Sequence, residues 1–467
     1  MRMVGRSAAL AVVVLIMSSL APHGLRSPAV GATRFTRSVK NIAPGLDLIS
    51  ILDRRGPNRI RVLRVDPSTA LTLDLALARD RLPGRETTSD MARRNGALAA
   101  INGTYGLPWG RPIGLFVQDS YLKTSPLVWG NAFSLSRAER LSYVGHPDLH
   151  VRLTGLLSQT ELVIDKWNES GPIKEKVGAY SPEGGRYVAP PKDACSARLV
   201  ETDHARWNSS EDGVVRWYAV EEVRCARRPL SRRGGVVVAA RRTSKAAKQI
   251  SSLMVGEMVE LSWALGWPGV TDAIAGNPVL VADGRNVAYD CSSYFCDRHP
   301  RTGVGVTSNG QILLATVDGR QPGYSVGMTL LQFARLFRAL DATTALNIDG
   351  GGSTTMVVKD SLVNSPSDAG GERAVSSSIL ILPAEDPGEP FLYPSSPVDQ
   401  LLAKSPEPPD DVGPPEAASD PSVLDPASTG GLLDAQRRGD LSLPAGELSH
   451  SLLRIAKRFA RSHADDP

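Results

Sequence analysis

The sequence predicts an α+β fold: mainly antiparallel or mixed sheets with a few packed helices, followed by a disordered proline-rich tail. Three observations carry this. Across residues 33–383, short apolar runs alternate with turn dipeptides such as Asp283-Gly284, Asn309-Gly310 and Asp318-Gly319. One segment beginning at Thr329 has a helical period instead. Beyond Pro383 the composition turns acidic and rich in proline.

The N-terminus reads as a signal peptide over residues 1–32. Arg2 and Arg6 precede an apolar run at residues 8–20, and Val30-Gly31-Ala32 supplies small residues for a peptidase. The run is too short to cross ~30 Å of hydrocarbon comfortably, although an uncleaved anchor remains the alternative. The protein is therefore expected to be secreted, extracellular or attached to the cell envelope. The 467 residues carry a formal charge of +4, three units of which belong to Arg2, Arg6 and Arg26. A chain this close to neutral gives no support to nucleic-acid binding through bulk charge.

Residues 33–383 should form the globular domain, with a variable disulfide-containing insert at 151–250. The segments Gly303-Val304-Gly305-Val306, residues 311–317 and Met356-Val357-Val358 read as strands. The clearest helix runs from residue 329 to about 340. Thr329 and Gln332 have the spacing of a capping box, and Leu330, Phe333, Ala334, Phe337 and Leu340 form one apolar face. The four cysteines allow three pairings. Cys195–Cys225 and Cys291–Cys296 are favoured, because each closes a loop within one segment. Zinc is the weaker reading, since there is no CxxC pair and His299 is the only histidine nearby.

Residues 384–446 should be a disordered acidic linker. Ten acids stand between Glu385 and Asp425 against Lys404 alone, too little apolar surface to offset the entropy of ordering. In residues 447–467, Leu448, Leu452, Ile455 and Phe459 make a stripe beside Arg454, Lys457, Arg458 and Arg461. Residues 447–464 could form a basic amphipathic helix touching an anionic envelope surface, or simply a marginal helix in a tail.

The strongest chemical signal is Asn347-Ile348-Asp349-Gly350-Gly351-Gly352-Ser353. Alternation along a strand puts Asn347 and Asp349 on one face. Three glycines can then bring backbone amides close to an anion. The competing reading is a glycine-rich turn. Neither a Walker loop nor a G-x-S-x-G elbow is present here. Asp318 in Val317-Asp318-Gly319-Arg320, Asn102 in Ile101-Asn102-Gly103 and Arg301 before Thr302-Gly303 are weaker signals. Arg373 before Ala374-Val375 is another. Each has an ordinary turn or surface reading. An arginine fork at such a position can also hold a phosphate.

Taken in order, Asn102-Gly103, Arg301-Thr302-Gly303-Val304-Gly305, Val317-Asp318-Gly319-Arg320, the capped helix and Asn347 to Ser353 resemble the phosphodiester glycosidase family. Asn364-Ser365-Pro366 and Arg373-Ala374-Val375 extend the resemblance, which covers residues 84–382. Gly103-Thr104-Tyr105-Gly106 departs from the aromatic pair of relatives, and Ala275-Gly276-Asn277-Pro278 from their Gly-Gly pair. The resemblance implies hydrolysis of a sugar-1-phosphodiester at the anomeric carbon, in a cell-envelope or extracellular glycan.

On that reading Asp349 and Asp318 do the carboxylate work and Arg301 receives the phosphate. Gly350, Gly351 and Gly352 supply amides. Asn102, Asn347 and Ser353 position hydroxyls, and Arg373 assists the phosphate or holds the last strand. No cofactor is required, although a divalent metal among the acids stays open. Two alternatives differ in class. One is a non-catalytic module that binds envelope glycans. The other is a phosphodiesterase attacking phosphorus, a chemistry that often uses clustered metal ligands.

Overall fold

The computed structural model describes residues 35–127, 130–169, 175–185, 190–208, 213–228, 230–289 and 292–384. The expected signal peptide, the acidic linker and the basic terminal segment lie outside these residues. So does Cys291, and with it the Cys291–Cys296 pairing.

Strands outweigh helices by more than an α+β fold implies. The described residues form 26 strands and three α-helices, so the fold is predominantly β. Two eight-stranded and two five-stranded sheets carry it, and among the described residues their strand pairings are antiparallel apart from Lys166–Trp167 with Gly178–Tyr180. The short apolar runs were the correct signal. Between them the chain returns by tight turns, and an antiparallel sheet needs no helical crossover.

One eight-stranded sheet organises the expected motifs. Its inner strands are Asn58–Val65, Ile312–Val317, Arg301–Thr307, Ala342–Ile348 and Val279–Ala282, in that spatial order. Ile312–Val317 is buried at every position, because the sheet is covered on both faces. Leu313, Ala315 and Val317 pack towards the helix Leu330–Ala339. Ile312 and Leu314 face the opposite way, into a core shared with Leu75, Ile101, Phe116, Ile379 and Ile381 from the two five-stranded sheets.

The helix starts where the capping box predicts. The Thr329 hydroxyl accepts from the Gln332 amide, and the Gln332 side chain accepts from the Thr329 amide. Leu330, Phe333, Ala334 and Phe337 are its buried residues. Its two phenylalanines sit directly on the glycines of Arg301–Thr307. A Cβ on Gly303 would stand 2.8 Å from the Phe333 ring, and one on Gly305 2.7 Å from the Phe337 ring. The glycines thus bring helix and sheet close enough to bury two aromatic rings.

The other eight-stranded sheet is built from strands between His150 and Ala264, so the expected insert lies within it. Its long hairpin, Ala194–Asn208 with Gly213–Ala226, places Cys195 opposite Cys225. The two form a disulfide with a Cα–Cα separation of 3.9 Å.

Gly305→Ala should cost ~1–3 kcal/mol of stability through overpacking against Phe337. Adding Phe337→Leu should recover part of that loss, because the smaller side chain gives way. Urea denaturation of the two variants checks this; an unchanged Gly305→Ala midpoint would show that the helix is seated elsewhere.

Candidate active site

Strand register brings three of the predicted residues to one end of the sheet. Arg301 opens its strand and pairs with Val317, while Thr302 pairs with Ile348 on the other side. Because both neighbours run antiparallel, Asp318 and Asp349 each follow the last residue of a strand at the end where Arg301 begins.

Asp349 is half-buried. Desolvation pushes its carboxyl up to about 6, against hydrogen bonds from the Ser353 hydroxyl and the Gly350 amide and the attraction of Arg373. Such a group changes ionisation near neutral pH, where an acid–base residue is useful.

Arg301 is 3% exposed. Its Nε donates to the Met328 carbonyl at 2.9 Å, and its Nη2 donates to the carbonyls of Phe295 and Asp297 at 2.8 and 2.7 Å. Among the described residues no carboxylate stands within ion-pair distance of it, and Nη1 donates to no protein group. Burial lowers its pKa to about 10. Asp297 attracts it without forming an ion pair, and a buried guanidinium in that state is primed for an anionic ligand.

Tyr105 links Arg301 to Asp349. Burial pushes its hydroxyl strongly upward, Asp349 pushes the same way, and Arg301 opposes them. The acid and the cation therefore act on one hydroxyl group. That hydroxyl donates to the Asn277 carbonyl at 3.0 Å and accepts from the Asn347 amide at 2.6 Å. The Tyr105 ring lies 6.4 Å from Phe295, centroid to centroid. Tyr105 was quoted above only as a departure from relatives, and nothing in its sequence context signals this bridging position.

The other expected residues take more internal roles. The Asn102 side chain is fully buried. Its amide donates to the Asp349 carbonyl at 2.7 Å, and its carbonyl accepts from the Thr302 hydroxyl at 2.9 Å and the Thr355 amide at 3.1 Å. With both ends engaged by protein, Asn102 holds the Asp349 backbone. Asn347 donates to Asn277 as well as to Tyr105, and its carbonyl oxygen is buried without a partner.

Asp318 is 2% exposed. Burial raises its pKa. One of its oxygens accepts from the Asn364 side chain at 3.1 Å and the Ser365 amide at 2.9 Å, while the other is buried without a partner. The hydrogen bonds of its carboxylate run to Asn364 and Ser365 and not to the Asp349 carboxylate. It clamps Asn364, which in turn donates to the Thr354 carbonyl and accepts from the Met356 amide.

The glycine amides are less available than the sequence suggests. The Gly350 amide serves the Asp349 carboxylate, and the Gly351 amide donates to the Pro300 carbonyl at 2.9 Å. Gly352 matters instead for its missing side chain: a Cβ there would stand 2.0 Å from Nη2 of Arg373 and 2.1 Å from Oδ1 of Asp368. Arg373 forms a two-pronged pair with Asp368, at 2.7 and 2.9 Å, against this bend.

Among the described residues, Asp74, Asp119 and Asp272 form a group close enough to hold a metal ion. Arg137 ion-pairs with all three, which supplies their positive charge from within the protein.

The Asp349 environment predicts a pH-dependent stability change. Well below pH 4 the carboxyl is protonated in both folded and unfolded chains. As pH rises from about 4 to about 6 the unfolded chain ionises first, so native stability falls and then levels off. Asp349→Asn should therefore gain about 1–3 kcal/mol at pH 7.5, at about 1.4 kcal/mol per pK unit, and the gain should vanish near pH 4. Urea unfolding across that range checks it; an equal or less stable variant at pH 7.5 contradicts the assignment.

Comparison with known proteins connects this geometry to a family. The family model described as phosphodiester glycosidase matches residues 225–382, which contain Arg301, Asp318, Asp349 and Arg373. The chain is 37% identical over 89 residues to the uncharacterized SPbeta prophage-derived protein YomE of Bacillus subtilis, across 19% of this chain and 14% of that protein. It is 40% identical over 68 residues to the mouse N-acetylglucosamine-1-phosphodiester alpha-N-acetylglucosaminidase, across 15% of this chain and 13% of the relative. The chain thus matches less than a sixth of the length of either relative. In fold it is similar to a hypothetical protein from Synechocystis, with a TM-score of 0.58 at 20% identity, over 74% of this chain and 63% of the other. Residues 225–382, which carry the site, thus match the family described as phosphodiester glycosidase.

Proposed function

We propose that this protein is a secreted hydrolase that cleaves the bond between a sugar's anomeric carbon and phosphate in sugar-1-phosphodiesters of cell-envelope or extracellular glycans. The observation that carries this reading is the strand register that brings Asp349 to the sheet end where the buried Arg301 begins its strand, hydrogen-bonded to carbonyls and in no ion pair. The family match over residues 225–382 and the activity of the mouse relative support the substrate class.

In the proposed reaction, water adds to the anomeric carbon and the bond from that carbon to the bridging oxygen breaks. The electron pair stays on that oxygen, which leaves as part of a phosphate monoester. Asp349 takes the proton from water, or attacks first and is hydrolysed from the sugar afterwards; the carboxylate spacing that separates these routes needs a second acid. A phosphate monoester is a good leaving group, so the demand on a general acid is small. The demand falls on receiving negative charge, and Arg301 supplies a preorganised cation for it. Asn102, Ser353 and Asp318 hold this arrangement in place rather than reacting.

Secretion is supported by the basic n-region and the apolar run at residues 8–20, and by the Cys195–Cys225 disulfide. Among the described residues no helix is long and apolar enough to cross a membrane.

Turnover of a panel of sugar-1-phosphodiesters, run in ¹⁸O-water, tests the reading. Label should appear in the sugar, kcat/KM should rise with pH through about 6, and rate should survive a chelator. Asp349→Asn should lose about 10³-fold in rate while folding normally. Arg301→Lys should lose about 10²-fold, because a point charge replaces a fork held by three carbonyls. Label in the phosphate would assign attack to phosphorus. Retention of glycan without release of sugar would make the protein a binding module.

A further inference from the structure

Arg320 lies on the open side of the same bend, and its surroundings are unusual for a surface arginine. It follows Asp318-Gly319 at the end of Ile312–Val317. Gly319 runs so close to Pro300 and Gly327 that a Cβ would stand 2.7 and 2.8 Å from their backbone atoms. The chain then places Arg320 at φ 59°, a left-handed conformation that costs an L residue free energy. Its guanidinium lies over Gly351, 3.1–3.3 Å from where a Cβ would be. Bulk at Gly351 would expel it from this position.

The guanidinium is held by a neutral imidazole rather than by an ion pair. Arg320 Nε donates to His299 Nδ1 at 3.3 Å. His299 Nε2 stands 2.6 Å from the Tyr294 carbonyl, so the proton belongs on Nε2 and the lone pair on Nδ1. Burial first, and then Arg320 and Arg301, keep the ring's pKa below its usual range, which favours this neutral tautomer. The guanidinium also sits 5.9 Å from the centroid of the Tyr294 ring, which is largely exposed. Among the described residues no carboxylate pairs with Arg320, and neither of its terminal nitrogens donates to a protein acceptor. It is near enough to Arg301 to contribute to that residue's lowered basicity. Asp297 attracts Arg301 and the His299 ring but forms no ion pair with either arginine, and two like charges this close are stabilised by an incoming anion.

We propose that Arg320 is a second phosphate-binding cation that works with Arg301, and that His299 is the positioning residue that aims it. The proposal rests on the hydrolase reading for its biological meaning, while the anion site stands on its own. The bound group is a tetrahedral phosphate, gripped by Arg301 from within and by Arg320 from the solvent side.

Calorimetric titration of the full chain with inorganic phosphate at low salt tests this without turnover. The parent should bind saturably. Arg320→Gln should weaken binding about tenfold or more, and Arg320→Lys should fall between the two. His299→Gln keeps an acceptor for Arg320 and a donor for Tyr294, so it should bind much as the parent does. His299→Phe should bind as poorly as Arg320→Gln. Rescue by glutamine is a result that a purely structural histidine would not produce, and melting temperatures of all four variants control for folding. The proposal is overturned if the parent shows no saturable binding, if Arg320→Gln stays within about twofold of it, or if His299→Gln is no better than His299→Phe. Phosphate binding that depends on Arg320, without hydrolysis of any sugar-1-phosphodiester, would keep this site and end the hydrolase reading. Turnover with unchanged phosphate affinity in Arg320→Gln would end this proposal alone.

Discussion

The site depends on the register between Arg301–Thr307 and its two antiparallel neighbours. Val317 opposite Arg301 and Ile348 opposite Thr302 put a cation and two acids at one sheet end, although they are spread over almost fifty residues of sequence. A slip of one residue would turn Arg301 to the other face and expose half the strand's apolar side chains. That slip is opposed from both sides. Phe333 and Phe337 fill the spaces above Gly303 and Gly305, and the opposite face is packed into the shared core. The glycines of this strand therefore serve the chemistry indirectly, by making its register costly to change.

Around that end, polar groups fall into two sets. Asn102, Asn364 and Ser353 have their hydrogen bonds met inside the protein, and each ends on the loops that carry the acids. Buried amides satisfied in this way rigidify their surroundings at little cost. Arg301 and Arg320 lack an acid partner, and Asp349 is held in a poorly solvating environment that opposes its charge. The first set makes the second tolerable, since a loop anchored at Asn102 and Asn364 cannot relax to bring an acid against either arginine. The electrostatic tension is thus maintained in the resting protein, which is what preorganised stabilisation of developing charge requires.

Local features were legible in the sequence. The capping box located the first turn of the helix to the residue, because Thr329 and Gln332 bond only to each other's backbone. Met356–Val358 is the strand predicted, and Cys195 meets Cys225 because a hairpin makes them neighbours. Long-range features were less so. The dominance of strands depends on pairings such as Met356 with Ile101, far apart in the chain. Asn102 has the look of a ligand-binding amide, yet three partners consume its hydrogen bonds, two of them more than two hundred residues distant. The glycine amides mislead for the same reason, since Pro300 is already in place to accept one. Arg320 could have been noticed, as it completes the Asp318-Gly319-Arg320 turn, but only His299 and Gly351 distinguish it from an ordinary exposed arginine.

Arg373 shows why counting cations near the bend is not enough. Its Nε and Nη2 both face Asp368, so the fork that would grip a phosphate is occupied. An anion would have to displace that carboxylate or settle for a monodentate contact, whereas Nη1 of Arg301 and both terminal nitrogens of Arg320 donate to no protein group. Its positive charge still reaches Asp349 and restrains the rise that desolvation causes. Without it the carboxyl would titrate higher and be protonated over more of the neutral range, where a base is needed. The bend therefore divides its arginines by pairing state. The paired one adjusts the acid, and the two without acidic partners are free to meet the phosphate.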